Sequence, residues 1–127
     1  WRLRQNERVI VKEKTNARFL TDQIIKDPLD AIVCDASFIS LKKVLPQGLS
    51  LLKNKGWLAA LIKPQFEVGK GLVGKGGVVR DPELHQEVVA DIKNWLQHDM
   101  NMYLSGVVES PILGPSGNKE FVIVANK

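Results

Sequence analysis
Along the chain, short β-type apolar runs alternate with stretches whose apolar residues recur at helical spacing. Residues 8–13, RVIVKE, read as a strand, and residues 17–26, ARFLTDQIIK, as a short helix. The breaker pair Asp27 and Pro28 then bounds a second strand at residues 30–35, DAIVCD. Leu41, Val44, Leu45, Leu49 and Leu52 continue as a helical stripe, within which Pro46 either kinks the helix or starts its main part. Gly56 is placed to end that helix. Residues 57–62, WLAALI, are apolar at every position, as expected of a parallel strand covered on both faces.

A glycine- and lysine-rich loop follows, and after it comes the clearest helix. Asp81 can cap this helix, Pro82 suits its first position, and Glu83 favours the positive end of its dipole. Leu84, Val88, Ile92 and Leu96 form one stripe, with Val89 and Trp95 beside it. The runs MYLSGVVES and EFVIVAN predict two last strands, joined by the turn-rich PILGPSGNK. With no helix between them they should pair antiparallel. The expected fold is α/β, a mostly parallel twisted sheet with an antiparallel terminal strand pair. In such sheets, sites form outside the carboxyl ends of the strands. Asp35 and Lys63 stand at two of those ends, in consecutive β-α units, so they are expected to be neighbours in a catalytic or ligand site. Pro64 stops the strand directly after Lys63.

Composition narrows the class without naming a function. The 127 residues suffice for one compact domain, and 44% hydrophobic with 25% charged residues is ordinary for a globular protein. The net charge of +4 is compatible with an anionic partner but does not require one. The single cysteine, Cys34, excludes an internal disulfide and fits an intracellular compartment. Lying in an apolar run, it reads as a small buried hydrophobe rather than a nucleophile. His85 and His98 are too far apart on their helix to pair as metal ligands; surface positions, and no metal site, are expected. No apolar run approaches the ~18 residues that span a bilayer, so no membrane partner is expected. The basic run WRLRQNER could touch nucleic-acid phosphates or simply be a solvated entry to a strand. The chain opens on Trp1 rather than Met, which suggests part of a longer protein.

Two glycine patterns need separating from the chemistry. GKGLVG, residues 69–74, matches the dinucleotide fingerprint, and GKGLVGKG, residues 69–76, nearly matches a P-loop. Both motifs require a helix to start at the glycines, where backbone N–H groups meet phosphate. Here PQFEV separates the strand from the first glycine, Gly76 stands where a P-loop needs Ser or Thr, and the next helix starts near Asp81. The better account is a mobile loop whose Lys70, Lys75 and Arg80 could close on a phosphate backbone, or remain solvated.

The segments DASFISL, LIKPQFEVGKGLVGKGGVVRDP and SPILGPSGNKEF, in this order, resemble the hemolysin-A-like (TlyA) branch of the FtsJ-like RNA ribose methyltransferases. The resemblance runs over essentially the whole chain. It implies a Rossmann-like methyltransferase fold, with residues 1–127 forming part of a single methyltransferase domain. S-adenosylmethionine is the implied methyl donor, and the 2′-hydroxyl of a ribosomal RNA nucleotide, typically cytidine, the acceptor. The implied partner is ribosomal RNA or a ribosomal subunit, in the cytoplasm. By motif, Asp35 in CDASFIS, Lys63 in IKPQFE and Glu120 in GNKEF take the places of the family's catalytic Asp, second Lys and Glu. Asn16 in KTNAR and Asp35 take cofactor-binding places. The family's first catalytic lysine, its glycine-rich cofactor loop, the acidic residue on the cofactor ribose and a small RNA-binding domain all precede the matched segment. The first strands of the sheet are therefore expected upstream. Free lysine has a pKa of about 10.4, so Lys63 is expected to orient the hydroxyl and accept its proton late, held by Asp35 and Glu120. The rival readings are a non-catalytic RNA-binding fragment and, against the patterning, a membrane-lytic protein.

Overall fold
The computed structural model describes residues 2–127, apart from the side chains of Leu3 and Lys70. Four strands, β1 (Leu29–Cys34), β2 (Leu52–Ile62), β3 (Tyr103–Glu109) and β4 (Phe121–Asn126), form one sheet in the order β1-β2-β4-β3. β1 runs parallel to β2, while β4 is antiparallel to both β2 and β3. The α/β class and the antiparallel terminal pair match expectation. Among the described residues, parallel pairing is confined to β1 and β2.

The apolar run of β2 divides by strand alternation. Leu58, Ala60 and Ile62 face the core together with Ile123 and Ala125 of β4. Helices α1 (Leu41–Val44), α2 (Pro46–Ser50) and α4 (Pro82–Asn94) cover this face through Leu41, Leu45, Leu49, Val88 and Ile92. Each such side chain contributes roughly 1.5–3 kcal/mol relative to exposure. On the other face Val33, Trp57 and Val108 are exposed, so among the described residues only one side of the sheet is covered.

Local expectations change or resolve at several points. Residues 8–13 form no strand, since no described strand offers them a ladder, and Ile10 is exposed. Residues 17–26 form one 3-10 turn, Ala17–Phe19, followed by turns, with Phe19 exposed. A helix of that length is marginal without an apolar face to bury. The stripe from Leu41 is split, because Pro46 has no N–H to continue α1 and instead starts α2. Gly56 ends no helix: it lies inside β2, which begins at Leu52. A Cβ on Gly56 would lie 2.9 Å from the Asp30 carbonyl oxygen and 2.7 Å from Leu52 Cδ1, so close approach at the β1 irregularity calls for glycine there. Lys127 joins the end of α2 to the start of β2: its Nζ donates to Leu49 O at 3.0 Å and to Leu52 O at 2.8 Å.

Helix α4 forms as predicted. Asp81 accepts from Glu83 N at 2.9 Å, Pro82 takes the first position, and the helix runs on into a π-helical turn, Trp95–Asp99. His98 is exposed, but His85 is buried rather than at the surface. Its Nε2 lies 2.7 Å from Val79 O; a carbonyl only accepts, so Nε2 carries the proton and donates.

Candidate active site
The site grows from the carboxyl ends of β1 and β2. Lys63 follows β2 directly, and Pro64 starts the short helix α3 (Pro64–Glu67), which turns the chain away and leaves the lysine at the sheet edge. Lys63 is only 7% exposed. A buried ammonium is costly unless paired. Its Nζ forms an ion pair with Asp35 and donates to Ser37 Oγ at 3.1 Å. Asp35 keeps a side chain 68% exposed, so it faces both the lysine and solvent.

Glu120 arrives from the opposite direction. Ile62 pairs with Phe121, so the next residue on β2 and the one before β4, Lys63 and Glu120, lie at the same edge of adjacent strands. Glu120 is buried, and its Oε2 accepts from Gln65 Nε2 at 3.5 Å. Asp35, Lys63 and Glu120 are thus brought to one edge; Asp35 touches Lys63, whereas Glu120 meets Gln65. Asn16 stands elsewhere in role: its Oδ1 accepts from Arg18 N at 3.0 Å and caps a 3-10 turn that packs on α1 and α2.

The glycine loop folds into local turns. It forms two 3-10 turns, Lys70–Leu72 and Lys75–Gly77, and no helix starts before Pro82, so neither phosphate-cradle geometry is present. Val78 and Val79 are buried, and Asn118 clasps them to the loop before β4. Asn118 Oδ1 accepts from Val79 N at 3.0 Å, while its Nδ2 donates to Gly77 O at 2.9 Å and Pro115 O at 3.0 Å. Lys75 and Arg80 are exposed, and Arg80 Nη1 donates to Lys75 O at 3.4 Å. The Lys70 side chain lies outside the described residues.

Ser37, Gln65 and Asn118 were not among the predicted site residues. Ser37 and Gln65 each follow a strand-end charge by two positions, the one local signal they carry. Burial pushes the Cys34 thiol above its usual range, and the neighbouring Asp35 carboxylate adds to this, as fits an unreactive packed cysteine. Glu67 caps α1 from a distance, accepting from Ser40 Oγ at 2.7 Å and Leu41 N at 2.9 Å. Burial nonetheless raises its pKa.

A family model described as FtsJ-like methyltransferase matches residues 1–127. The chain belongs to that family. It is 46% identical over 123 residues to the 16S/23S rRNA (cytidine-2′-O)-methyltransferase TlyA of Mycobacterium tuberculosis, covering 97% of this chain and 46% of that protein. It is also 34% identical over 125 residues to Hemolysin A of Brachyspira hyodysenteriae, covering 96% of this chain and 51% of that one. Among solved structures, a Lactococcus lactis protein provisionally designated a hemolysin superposes with a TM-score of 0.93 at 37% identity. That match covers 100% of this chain and 61% of the other. The chain therefore spans about half the length of the curated relatives it matches.

Proposed function
We propose that the intact protein transfers a methyl group from S-adenosylmethionine to a ribose 2′-hydroxyl of ribosomal RNA in the cytoplasm. Family membership and the activity named for the Mycobacterium tuberculosis relative, with its cytidine target, support this reading. The observation that carries it is Lys63, buried at the end of β2 and held by Asp35 and Ser37, with Glu120 in register beside it.

When bound, S-adenosylmethionine supplies a methyl group activated by a sulfonium. The described residues fit such a group on its cationic side, because Asp35 offers a carboxylate that is paired yet largely exposed. Asn16 is exposed and makes no described hydrogen bond through its Nδ2, so it can donate to a cofactor ring. Lys63 has one N–H direction left after Asp35 and Ser37, and this one points the 2′-hydroxyl oxygen for in-line attack. In its amine form Lys63 accepts the proton that the hydroxyl sheds as the oxygen bonds to carbon. Asp35 holds that geometry through its ion pair, while Glu120 stands at the same edge with Gln65 donating to it. Lys75 and Arg80, with Lys70 beside them in sequence, contact RNA phosphates without reading sequence.

Tritiated methyl transfer to ribosomal RNA by the intact protein tests the assignment. Lys63→Ala should lower kcat by about a hundredfold or more, and near-full activity would remove Lys63 from the chemistry. A non-catalytic RNA-binding role is the second reading, favoured by the exposed basic side chains of Lys75 and Arg80. Calorimetry of the intact protein with S-adenosylmethionine separates the two: saturable binding supports a cofactor site, and its absence favours RNA binding alone. The third reading is membrane-lytic, and among the described residues no helix is long and apolar enough to cross a membrane. Leakage from liposomes at modest protein concentration would favour it.

A further inference from the structure
The groups at the sheet edge ride on two segments: the loop between β1 and α1, bearing Asp35 and Ser37, and the turn from Lys63 into α3. Three contacts join the two segments. Lys63 Nζ pairs with Asp35 and donates to Ser37 Oγ at 3.1 Å. Phe38 and Phe66 set their ring centroids 4.9 Å apart. Glu67, the last residue of α3, accepts from Ser40 Oγ at 2.7 Å and from Leu41 N at 2.9 Å. Between the first contact and the last, Phe38 has a φ of +64°, a left-handed backbone that is an outlier for a bulky residue. Such a conformation persists only where its surroundings over-determine it, and here the loop is fixed on both sides of it.

Glu67 does more than the helix it caps requires. α1 has only four residues, and Ser40 already supplies its N-cap, accepting from Lys42 N at 3.1 Å. Burial also raises the Glu67 pKa, so the fold holds this carboxyl against a cost. Lys42, the cation that acts on it, is itself paired with Asp91 at 2.6 Å, and among the described residues Glu67 forms no ion pair. Its hold on the loop is therefore hydrogen bonding at a set reach. The Lys63 contact cannot serve alone, because an amine holds a carboxylate and a hydroxyl less firmly than an ammonium does, and Lys63 changes between the two in the proposed reaction. The Phe38 ring, 89% exposed, restrains the loop little.

We infer that Glu67 is a positioning residue, which fixes the loop after β1 against α3 so that Asp35 and Ser37 stay on Lys63 while the lysine exchanges its proton. This deepens the methyltransferase reading above and rests on it. Glu67 touches neither substrate nor cofactor in this role; it acts through the two side chains that hold Lys63. Reach, not charge, is what the role asks of it. An amide of the same length can accept from Leu41 N and bond the Ser40 hydroxyl, whereas a carboxylate one carbon shorter falls short of both.

The test uses the intact protein with S-adenosylmethionine and ribosomal RNA, reading tritiated methyl transfer and amide exchange. Glu67→Ala should lower kcat about tenfold or more, with KM for the RNA changed by less than about twofold. Exchange should rise at residues 36–41 and stay level in α4. Glu67→Gln should restore kcat to within about twofold of wild type, and Glu67→Asp should be slower than Glu67→Gln. Wild-type kcat in Glu67→Ala would overturn the inference while leaving the methyltransferase reading intact. So would a Glu67→Asp variant faster than Glu67→Gln, since charge would then be what matters. A fall in kcat with exchange rising equally in α4 would also overturn it, reducing Glu67 to general support of the fold. No methyl transfer by wild type to any ribosomal RNA would sink the underlying reading, and this inference with it. The comparison of Glu67→Asp with Glu67→Gln answers the question even if Glu67→Ala fails to fold.

Discussion

Gly114 leaves the space that the Glu120 carboxylate occupies: a Cβ built on Gly114 would lie 2.7 Å from Glu120 Cδ. The backbone of Gly114 is ordinary and extended, with φ −79° and ψ −170°, so any residue could adopt it. Close approach, not conformation, is what asks for glycine. The clashing group is the end of a flexible side chain and can swing aside. Gly114→Ala should therefore cost only about 1 kcal/mol of stability, yet lower methyl transfer by about a hundredfold through misplacement of the carboxylate. Comparing thermal melts with kcat for this variant and Glu120→Ala checks the idea; full activity in the Gly114→Ala protein would separate Glu120 from the chemistry.

Asn118 ties the glycine loop to the strand that delivers Glu120, using its acceptor on Val79 N and its donors on Gly77 O and Pro115 O. Asn118→Ala would strand a buried N–H and cost about 1–3 kcal/mol. Asn118→Asp keeps the acceptor but loses both donors and sets a carboxylate against two carbonyls. Amide exchange should rise across residues 69–80 in both variants, whereas exchange in the core of α4 should change less. Unchanged exchange in that loop would show that the clasp is not what orders it.

What the sequence reveals of this fold follows how local each cause is. The runs WLAALI and EFVIVAN become β2 and β4 because apolar β-type residues suffice to mark a central ladder. Helix α4 is readable because cap, proline and stripe all agree within one segment. Asp35 and Lys63 are readable because a charge at the end of an apolar strand has few structural reasons to be there. Residues 8–26 fail the same test, since their pattern has no partner to pack against and weak local propensity cannot hold it. Gly56 misleads because one residue type serves both helix ends and close backbone approach. Gln65 with Glu120, and Val79 with Asn118, meet only after the sheet has assembled, and nothing in the local pattern announces such pairs.

The Gly56 correction has a measurable side. Because its neighbours include the Asp30 backbone oxygen, which cannot swing away, Gly56→Ala must shift β1 against β2. The expected cost is about 1–3 kcal/mol, the usual scale for overpacking a tight site. Chemical denaturation should show a lower midpoint with an unchanged slope. A variant as stable as wild type would mean that the β1 irregularity at Leu29 and Ala31 absorbs the methyl group.

Glu67 gives the molecule a pH dependence opposite to that of most paired carboxylates. Its hydrogen bonds from Leu41 N and Ser40 Oγ lower the pKa, but burial outweighs them and the net shift is upward from 4.5. Between that value and the raised one, the native state binds more protons at this site than the unfolded chain. Stability from Glu67 is thus fully present below pH 4.5 and is lost as pH rises through the folded value. Glu67→Gln keeps an acceptor for Leu41 N and can still bond the Ser40 hydroxyl, while removing the titration. The variant should therefore gain stability relative to wild type as pH increases from 4.5 towards neutrality, and denaturant titrations across that range read the difference directly. A gap between the two proteins that stays constant with pH would mean that the carboxyl is solvated in solution and that its cap on α1 does not carry the burial cost.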